Sequence, residues 1–409
     1  MEKNILLRHV RAKYLMQENS NKRYGPKQVV LKLTNGCNLN CVYCFSNAGE
    51  HNKVVYMESQ TVLDFFDQYF EECKNPFVNC TFHGGEPLTN VETLEDIINQ
   101  LKVRYYYPRI DFTIQSNGTL ISSKNIDFLK RNFSSIGLSL DGIGLVQQKT
   151  RPKFNGDNSF IEFERGVDIL RANNIPCGIL IIVTKHNIDH LLDTLNWCVS
   201  KGITSVSIEL MFPNGRASDK RDMSVTPDEY FNAMKEILYW QIDYNISNKN
   251  PFHIREFTTL TEKIAFNNKG HMCAGIPCGA GKDEISLCYD GSVYACDSFD
   301  GMPEYVLGNI NKDKLVDMLN SPIVERLTSR TLKGTECDAC NQKNICIFGC
   351  PLRNLYNEDN NMFGRIHLCN YYKKISRLLY ELLVKEKMDP SLFTVVKGRT
   401  CNFQIINFI

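Results

Sequence analysis

Between residues 29 and about 245 the apolar positions keep changing their period. Short β-branched or aromatic runs at Val29–Thr34, Phe77–Phe82, Ile110–Ile114, Ile136–Leu140, Cys177–Val183 and Val206–Met211 predict strands. The segments between them carry apolar residues three and four apart. Val62, Phe65, Phe66, Tyr69 and Cys73 mark a helix over Met57–Lys74, and Leu94, Ile97, Ile98 and Leu101 mark the next. Asn125–Phe133, Ile161–Asn173 and Ile188–Lys201 read as further helices. Six βα repeats imply parallel strands with helices outside, in a sheet that is either open or curved into a barrel. Thr226-Pro227-Asp228-Glu229 starts the last helix of this block with a capping box and proline at the first position.

The texture is different at both ends. Residues 1–25 read as a polar arm or short helix, and the repeat block occupies 26–250. A connecting segment at 251–270 leads into 271–372, which holds nine of the 17 cysteines, many turn residues and little periodicity. Bound metal is the expected source of stability there. A helix from Tyr371 to about Lys387 and a tail to Ile409 make up 373–409.

Of 409 residues, 43% are apolar and 23% charged, as in globular proteins with a large core. Lys+Arg is 47 against Asp+Glu 46, and that balance argues against nucleic-acid or anionic-membrane partners. The longest apolar run, Ile179–Val183, is far below the roughly 20 residues of a membrane helix. The charged N-terminus has no signal-peptide core, so a cytoplasmic location is expected. In that compartment 17 cysteines point to metal ligation rather than disulfides.

Cys37, Cys41 and Cys44 follow the first strand directly, at the strand end where α/β folds place their chemistry. Zinc sites build from paired units with four ligands. Three cysteines without a nearby fourth suggest a [4Fe–4S] cluster with one open iron. Tyr43, beside the last cysteine, is placed to shield such a cluster. His83-Gly84-Gly85-Glu86-Pro87 follows the second strand, where glycines admit a ligand and a carboxylate suits an ammonium. Ser116-Asn117-Gly118-Thr119 ends the third strand, and Ser139-Leu140-Asp141-Gly142 ends the fourth.

In these motifs the chain resembles the radical S-adenosylmethionine (radical SAM) enzymes over residues 29 to about 245. The resemblance implies a partial (β/α)6 barrel with SAM at its C-terminal mouth. It implies that Gly84, Gly85, Glu86 and Pro87 hold the SAM amino group. Ser116, Asn117, Ser139 and Asp141 would face its ribose and methionine, and Arg151 its carboxylate. Pro213-Asn214-Gly215-Arg216-Ala217 matches a stretch common in the peptide-modifying branch.

The C-terminal cysteines have their own spacing. Cys278, twelve residues, Gly291, four residues, Cys296 comes first; then Cys337-x2-Cys340-x5-Cys346-x3-Cys350, and finally Cys369, with Cys273 upstream. Two structural zinc sites are the bland alternative. The set resembles the SPASM domain, which implies two auxiliary [4Fe–4S] clusters. Cys273, Cys278, Cys296 and Cys350 would hold the first, and Cys337, Cys340, Cys346 and Cys369 the second. Cys73, Cys80, Cys177, Cys198, Cys288 and Cys401 fit no cluster.

The implied chemistry is reductive cleavage of SAM to a 5′-deoxyadenosyl radical and hydrogen abstraction from a peptide or protein. Asp297, beside Cys296, is the candidate base for the substrate proton. A reductant such as flavodoxin or ferredoxin is an implied partner. The leading expectation is a maturase of ribosomally made peptides, installing a thioether or carbon–carbon crosslink. The alternative is an anaerobic sulfatase maturase forming formylglycine, and a reading from another class is a non-catalytic iron–sulfur scaffold. Only 28 residues precede the first strand, too few for an N-terminal leader-recognition domain. Leader binding is therefore expected on another surface, on a separate leader-binding protein, or not at all.

Overall fold

The computed structural model describes residues 24–49, 53–105, 109–212, 214–268, 272–356 and 361–394. Most of the expected N-terminal arm, and the tail with Cys401, lie outside the described residues. One ten-stranded mixed sheet organises the molecule, in the order β10-β9-β8-β1-β2-β3-β4-β5-β6-β7.

Strands β1 (Gln28–Lys32), β2 (Val78–His83), β3 (Ile110–Ser116), β4 (Ser135–Ser139), β5 (Cys177–Val183) and β6 (Ser205–Leu210) are parallel throughout. Each lies within two residues of its sequence expectation. Helix α1 (Ser59–Glu72) packs Val62, Phe65, Phe66 and Tyr69 inward, and all four are fully buried. Each such side chain contributes about 2–3 kcal/mol of burial. The remaining helices of the block, α2 (Val91–Arg104), α3 (Ile126–Asn132), α4 (Leu145–Thr150), α5 (Phe160–Ala172) and α6 (Leu191–Ser200), fill the crossovers.

Helix α7 (Pro227–Ser247) begins at the expected box. Thr226 Oγ1 accepts from the Glu229 amide at 3.2 Å, and Glu229 Oε2 accepts from the Thr226 amide at 2.8 Å. Short β7 (His253–Ile254) extends the parallel edge and leads into α8 (Arg255–Phe266). Among the described residues no helix is long and apolar enough to cross a membrane.

The cysteine-rich region is less irregular than its sequence suggests. β8 (Glu284–Cys288) pairs parallel with β1, and β9 (Ser292–Tyr294) and β10 (Val306–Asn309) follow antiparallel. Strands of three to five residues are too short to show a period. Two short helices, α9 (Leu315–Leu319) and α10 (Pro322–Thr328), follow, and α11 (Cys369–Tyr380) packs on α7 and α8. The auxiliary region thus continues the barrel sheet at its β1 edge. Because β1–β6 run parallel, their C-terminal ends share one mouth, where the Cys37–Cys44 loop meets the ends of β2, β3 and β4.

Candidate active site

The Cys37–Ala48 loop is held from several directions. The Leu39 amide donates to Cys37 Sγ and the Ala48 amide to Cys44 Sγ, both at 3.4 Å. The Arg216 amide donates to the Cys44 carbonyl at 3.0 Å. Its guanidinium reaches the Cys41 carbonyl at 3.0 Å, and also Asn40 Oδ1 and the Ala48 carbonyl. Gly215 makes this approach possible, because a Cβ there would lie 2.4 Å from the Phe45 carbonyl oxygen. The stretch that looked like a family motif is thus a brace for the cysteine loop.

Gly85 is equally constrained, since its Cβ would lie 1.8 Å from the Gly36 carbonyl. The turn runs against the first loop through Gly85 N to Thr34 O at 2.8 Å and Glu86 N to Gly36 O at 2.9 Å. Glu86 itself is fully buried. Its carboxylate accepts from Leu88 N at 3.0 Å, Ser116 Oγ at 2.8 Å and Asn117 N at 2.7 Å. Burial raises its pKa, and these donors oppose the rise. Glu86 therefore staples the β2 loop to the end of β3, and neither it nor Pro87 lines the cavity. Gly84 and Gly85, directly before Glu86, line the cavity.

Asp141 is engaged by protein partners in the same way. It is fully buried, accepts from Ile182 N at 3.0 Å and from the Tyr43 hydroxyl, and pairs with Arg151 Nε at 3.1 Å. Burial alone would lower the Arg151 pKa, but the Asp141 charge more than offsets it. Arg151 is thus a fixed cation, its Nη1 4.0 Å from Cys41 Sγ and its guanidinium 5.3 Å from the centre of the Tyr43 ring. Asp141 anchors the arginine and does not itself reach the cavity.

One cavity of about 370 Å³ occupies the mouth. Cys37, Cys41, Tyr43, Cys44, Gly84, Gly85, Ser116, Asn117, Ser139 and Arg151 line its barrel side. Cys273, Cys278, Cys296, Asp297 and Cys350 line the opposite side, with Cys273 the most exposed of those four thiols. The wall also includes His83, Gln115, Glu284 and Arg353, which the sequence reading passed over. Gln115 Nε2 donates to Ser139 Oγ at 3.0 Å and so fixes that hydroxyl. Glu284 opens β8, and its Oε1 accepts from the Asp297 amide at 3.1 Å. Burial, and then the Asp297 charge, push the Glu284 carboxyl up to about 8. The signal for Glu284 was a strand start hidden in the cysteine-rich region.

Cys337, Cys340, Cys346 and Cys369 surround a separate cavity of about 30 Å³. Among the described residues Cys278, Cys296, Cys350, Cys337, Cys340, Cys346 and Cys369 form no disulfide. Burial pushes Cys41 and Cys278 up to about 11 and Cys346 up to about 12. Converging thiols of this kind ionise when a metal supplies the compensating charge, and the donor sets fit thiolate-held iron–sulfur groups. Cys73, Cys80 and Cys198 are buried small apolar groups of the barrel core, whereas Cys288, also buried, belongs to the cluster against which Cys278, Cys296 and Cys350 pack.

Comparison with known proteins agrees with this geometry. Residues 31–198 match the Radical SAM superfamily, and residues 278–342 match the SPASM iron–sulfur cluster-binding domain. The cysteine-type anaerobic sulfatase-maturating enzyme of Clostridium novyi is 27% identical over 363 residues, covering 85% of this chain and 94% of that one. The structure of native anSMEcpe with bound AdoMet superposes with a TM-score of 0.77 at 23% identity, covering 88% of this chain and 99% of its own. Streptococcus suis SuiB bound to its precursor peptide SuiA gives a TM-score of 0.63 at 16% identity, covering 90% and 80%. The chain thus carries a radical SAM domain over residues 31–198 and a SPASM iron–sulfur cluster-binding domain over residues 278–342.

Proposed function

We propose that the protein is a peptide maturase that oxidises a side chain of a ribosomally made peptide threaded between the barrel mouth and the SPASM region. The observation that carries this reading is the single cavity, with the Cys37, Cys41, Cys44 loop on one wall and the Cys273, Cys278, Cys296, Cys350 quartet on the other. Cys337, Cys340, Cys346 and Cys369 would hold a third cluster. Cys37, Cys41 and Cys44 would hold the SAM-binding cluster, which with SAM would supply the radical chemistry for hydrogen abstraction, and Cys273, Cys278, Cys296 and Cys350 would hold a cluster suited to accept the substrate's electron. Flavodoxin or ferredoxin provides the starting electron.

The residues do the positioning. The Gly84–Gly85 backbone, Ser116, Asn117 and Ser139 bound the cofactor pocket, Arg151 offers a fixed cation to its carboxylate, and Tyr43 closes one side. Asp297 lines the cavity beside Cys296 and takes the substrate proton at its carboxylate. The apolar walls from Leu180, Ile182, Leu210 and Phe212 exclude water from the radical path. A crosslink between two side chains is the expected product. A second reading, formylglycine formation from Cys or Ser in a sulfatase, is favoured by the full-length similarity to sulfatase-maturating enzymes.

The test uses protein reconstituted with iron and sulfide under strict anaerobiosis. Iron should be about twelve per chain and fall to about eight in the Cys37/Cys41/Cys44→Ala variant. The wild type is then given SAM, dithionite, and either a patterned peptide encoded beside the gene or a sulfatase peptide with the target cysteine. A loss of two hydrogens without a free aldehyde supports crosslinking. An aldehyde captured by a hydrazide probe supports the second reading. Absence of 5′-deoxyadenosine with both peptides overturns both.

A further inference from the structure

Lys32 is the last residue of β1 and is 1% exposed. An ammonium in that place loses several kcal/mol of hydration. Methionine would fill a similar volume without the loss, so the charge needs a reason. Lys32 Nζ donates to the Asp297 carbonyl at 2.8 Å and to Asp300 Oδ2 at 2.9 Å. It also lies 4.5 Å from the centre of the Phe45 ring, which faces the cation. Its partners therefore belong to two different loops. Phe45 directly follows Cys44, and Asp297 directly follows Cys296.

Asp300 completes the bridge. Its carboxylate accepts from the Cys288 thiol at 3.4 Å as well as from Lys32. Between them, the fixed pair touches Phe45 on one side and the 297–300 turn on the other. The turn's own bonds are weak by comparison. Phe299 N to Cys296 O and Asp300 N to Asp297 O are both 3.3 Å, and Met302 N to Phe299 O is 3.1 Å. The other ties of this turn to the sheet are the Asp297 amide to Glu284 Oε1 on β8 at 3.1 Å and Asn214 Nδ2 to the Asp300 carbonyl at 3.5 Å, so the ammonium is the tie that comes from β1.

We infer that Lys32, with Asp300, is a positioning residue that ties the Cys44 loop to the Cys296–Asp297 turn and sets where the Asp297 carboxylate stands in the cavity. The tie follows from the distances alone. Its catalytic meaning rests on the reading of Asp297 as the proton acceptor, so the experiment uses no peptide and its failure is separable from failure of that reading.

The holoenzyme, Asp300→Asn, and Lys32→Met/Asp300→Asn are compared by hydrogen–deuterium exchange and by EPR of the dithionite-reduced auxiliary clusters. The double variant removes both charges and leaves no buried ion unpaired. The expected order of protection at the 299–302 amides is wild type, then Asp300→Asn, then the double variant, which exchanges at least about tenfold faster than wild type. The EPR g-pattern of the double variant should shift, because the turn carries Cys296. Exchange within about twofold of wild type, or an unchanged g-pattern, overturns the inference. Loss of iron in either variant also overturns it, since the pair would then be a requirement of folding and not of placement.

Discussion

The loop at 37–48 and the turns at 337–346 both carry three cysteines, yet they are held in opposite ways. The first is stapled by residues far along the chain. Arg216 grips it from the end of the repeat block, Asn38 donates to Thr119 Oγ1 at 2.8 Å, and Asn40 N and Val42 N bond the Pro152 and Thr150 carbonyls at 2.8 and 3.0 Å. The second is held mostly by itself. Cys340 N to Cys337 O is 3.3 Å, Ile345 N to Gln342 O is 3.1 Å, and Cys346 N to Gln342 O is 3.0 Å. The contrast suits two kinds of metal site. A loop meant to leave an iron open must hold its shape when a ligand is not bound, so the scaffold fixes it. A site closed by four thiolates can take its shape from the metal, as small metal domains do.

The most forceful way to break the contrast is to remove the iron. Chelation under anaerobic conditions should leave the barrel folded and expose 337–346 to limited proteolysis, with cuts mapped by mass spectrometry. Equal cleavage at 37–48 would erase the distinction. A smaller effect is expected from Arg216→Lys. Lysine keeps the charge but cannot reach the Cys41 and Ala48 carbonyls and Asn40 at once. Apo-protein urea unfolding should report a loss of about 2–3 kcal/mol. The smallest belongs to the self-held turns. Lys343 donates to the Asp338 carbonyl at 2.6 Å from an exposed position, so Lys343→Ala should change apo stability by less than about 0.5 kcal/mol.

The six barrel strands were legible because each is five to seven residues of β-branched or aromatic pattern between helical segments. The capping box at Thr226 was legible because its geometry is local. The cysteine spacing was legible, its partition into two sets of four came from the family resemblance, and the two sets line separate cavities. What stayed hidden was non-local. Nothing near Glu86 or Asp141 in the sequence says that donors from β3 and β5 occupy their carboxylates. Lys32 lies inside an apolar strand, and Asp297 and Asp300, which explain its charge, lie far along the chain. Arg216 was legible only as part of a motif, because the loop it braces is distant in sequence. Burial of charge was predictable at none of these places, since each partner arrives through tertiary packing.

The pairing of β1 with β8 has a consequence during synthesis. Gln28 faces Glu284 across that ladder, 256 positions later in the chain. At about 5–20 residues per second, the edge of the first strand waits on the order of tens of seconds for its neighbour to leave the ribosome. For that interval Val29, Val30 and Leu31 belong to an uncovered strand edge that can pair with other chains. Synthesis of this protein therefore has a built-in period in which one edge of β1 is unpartnered, which ends only when the cysteine-rich region emerges.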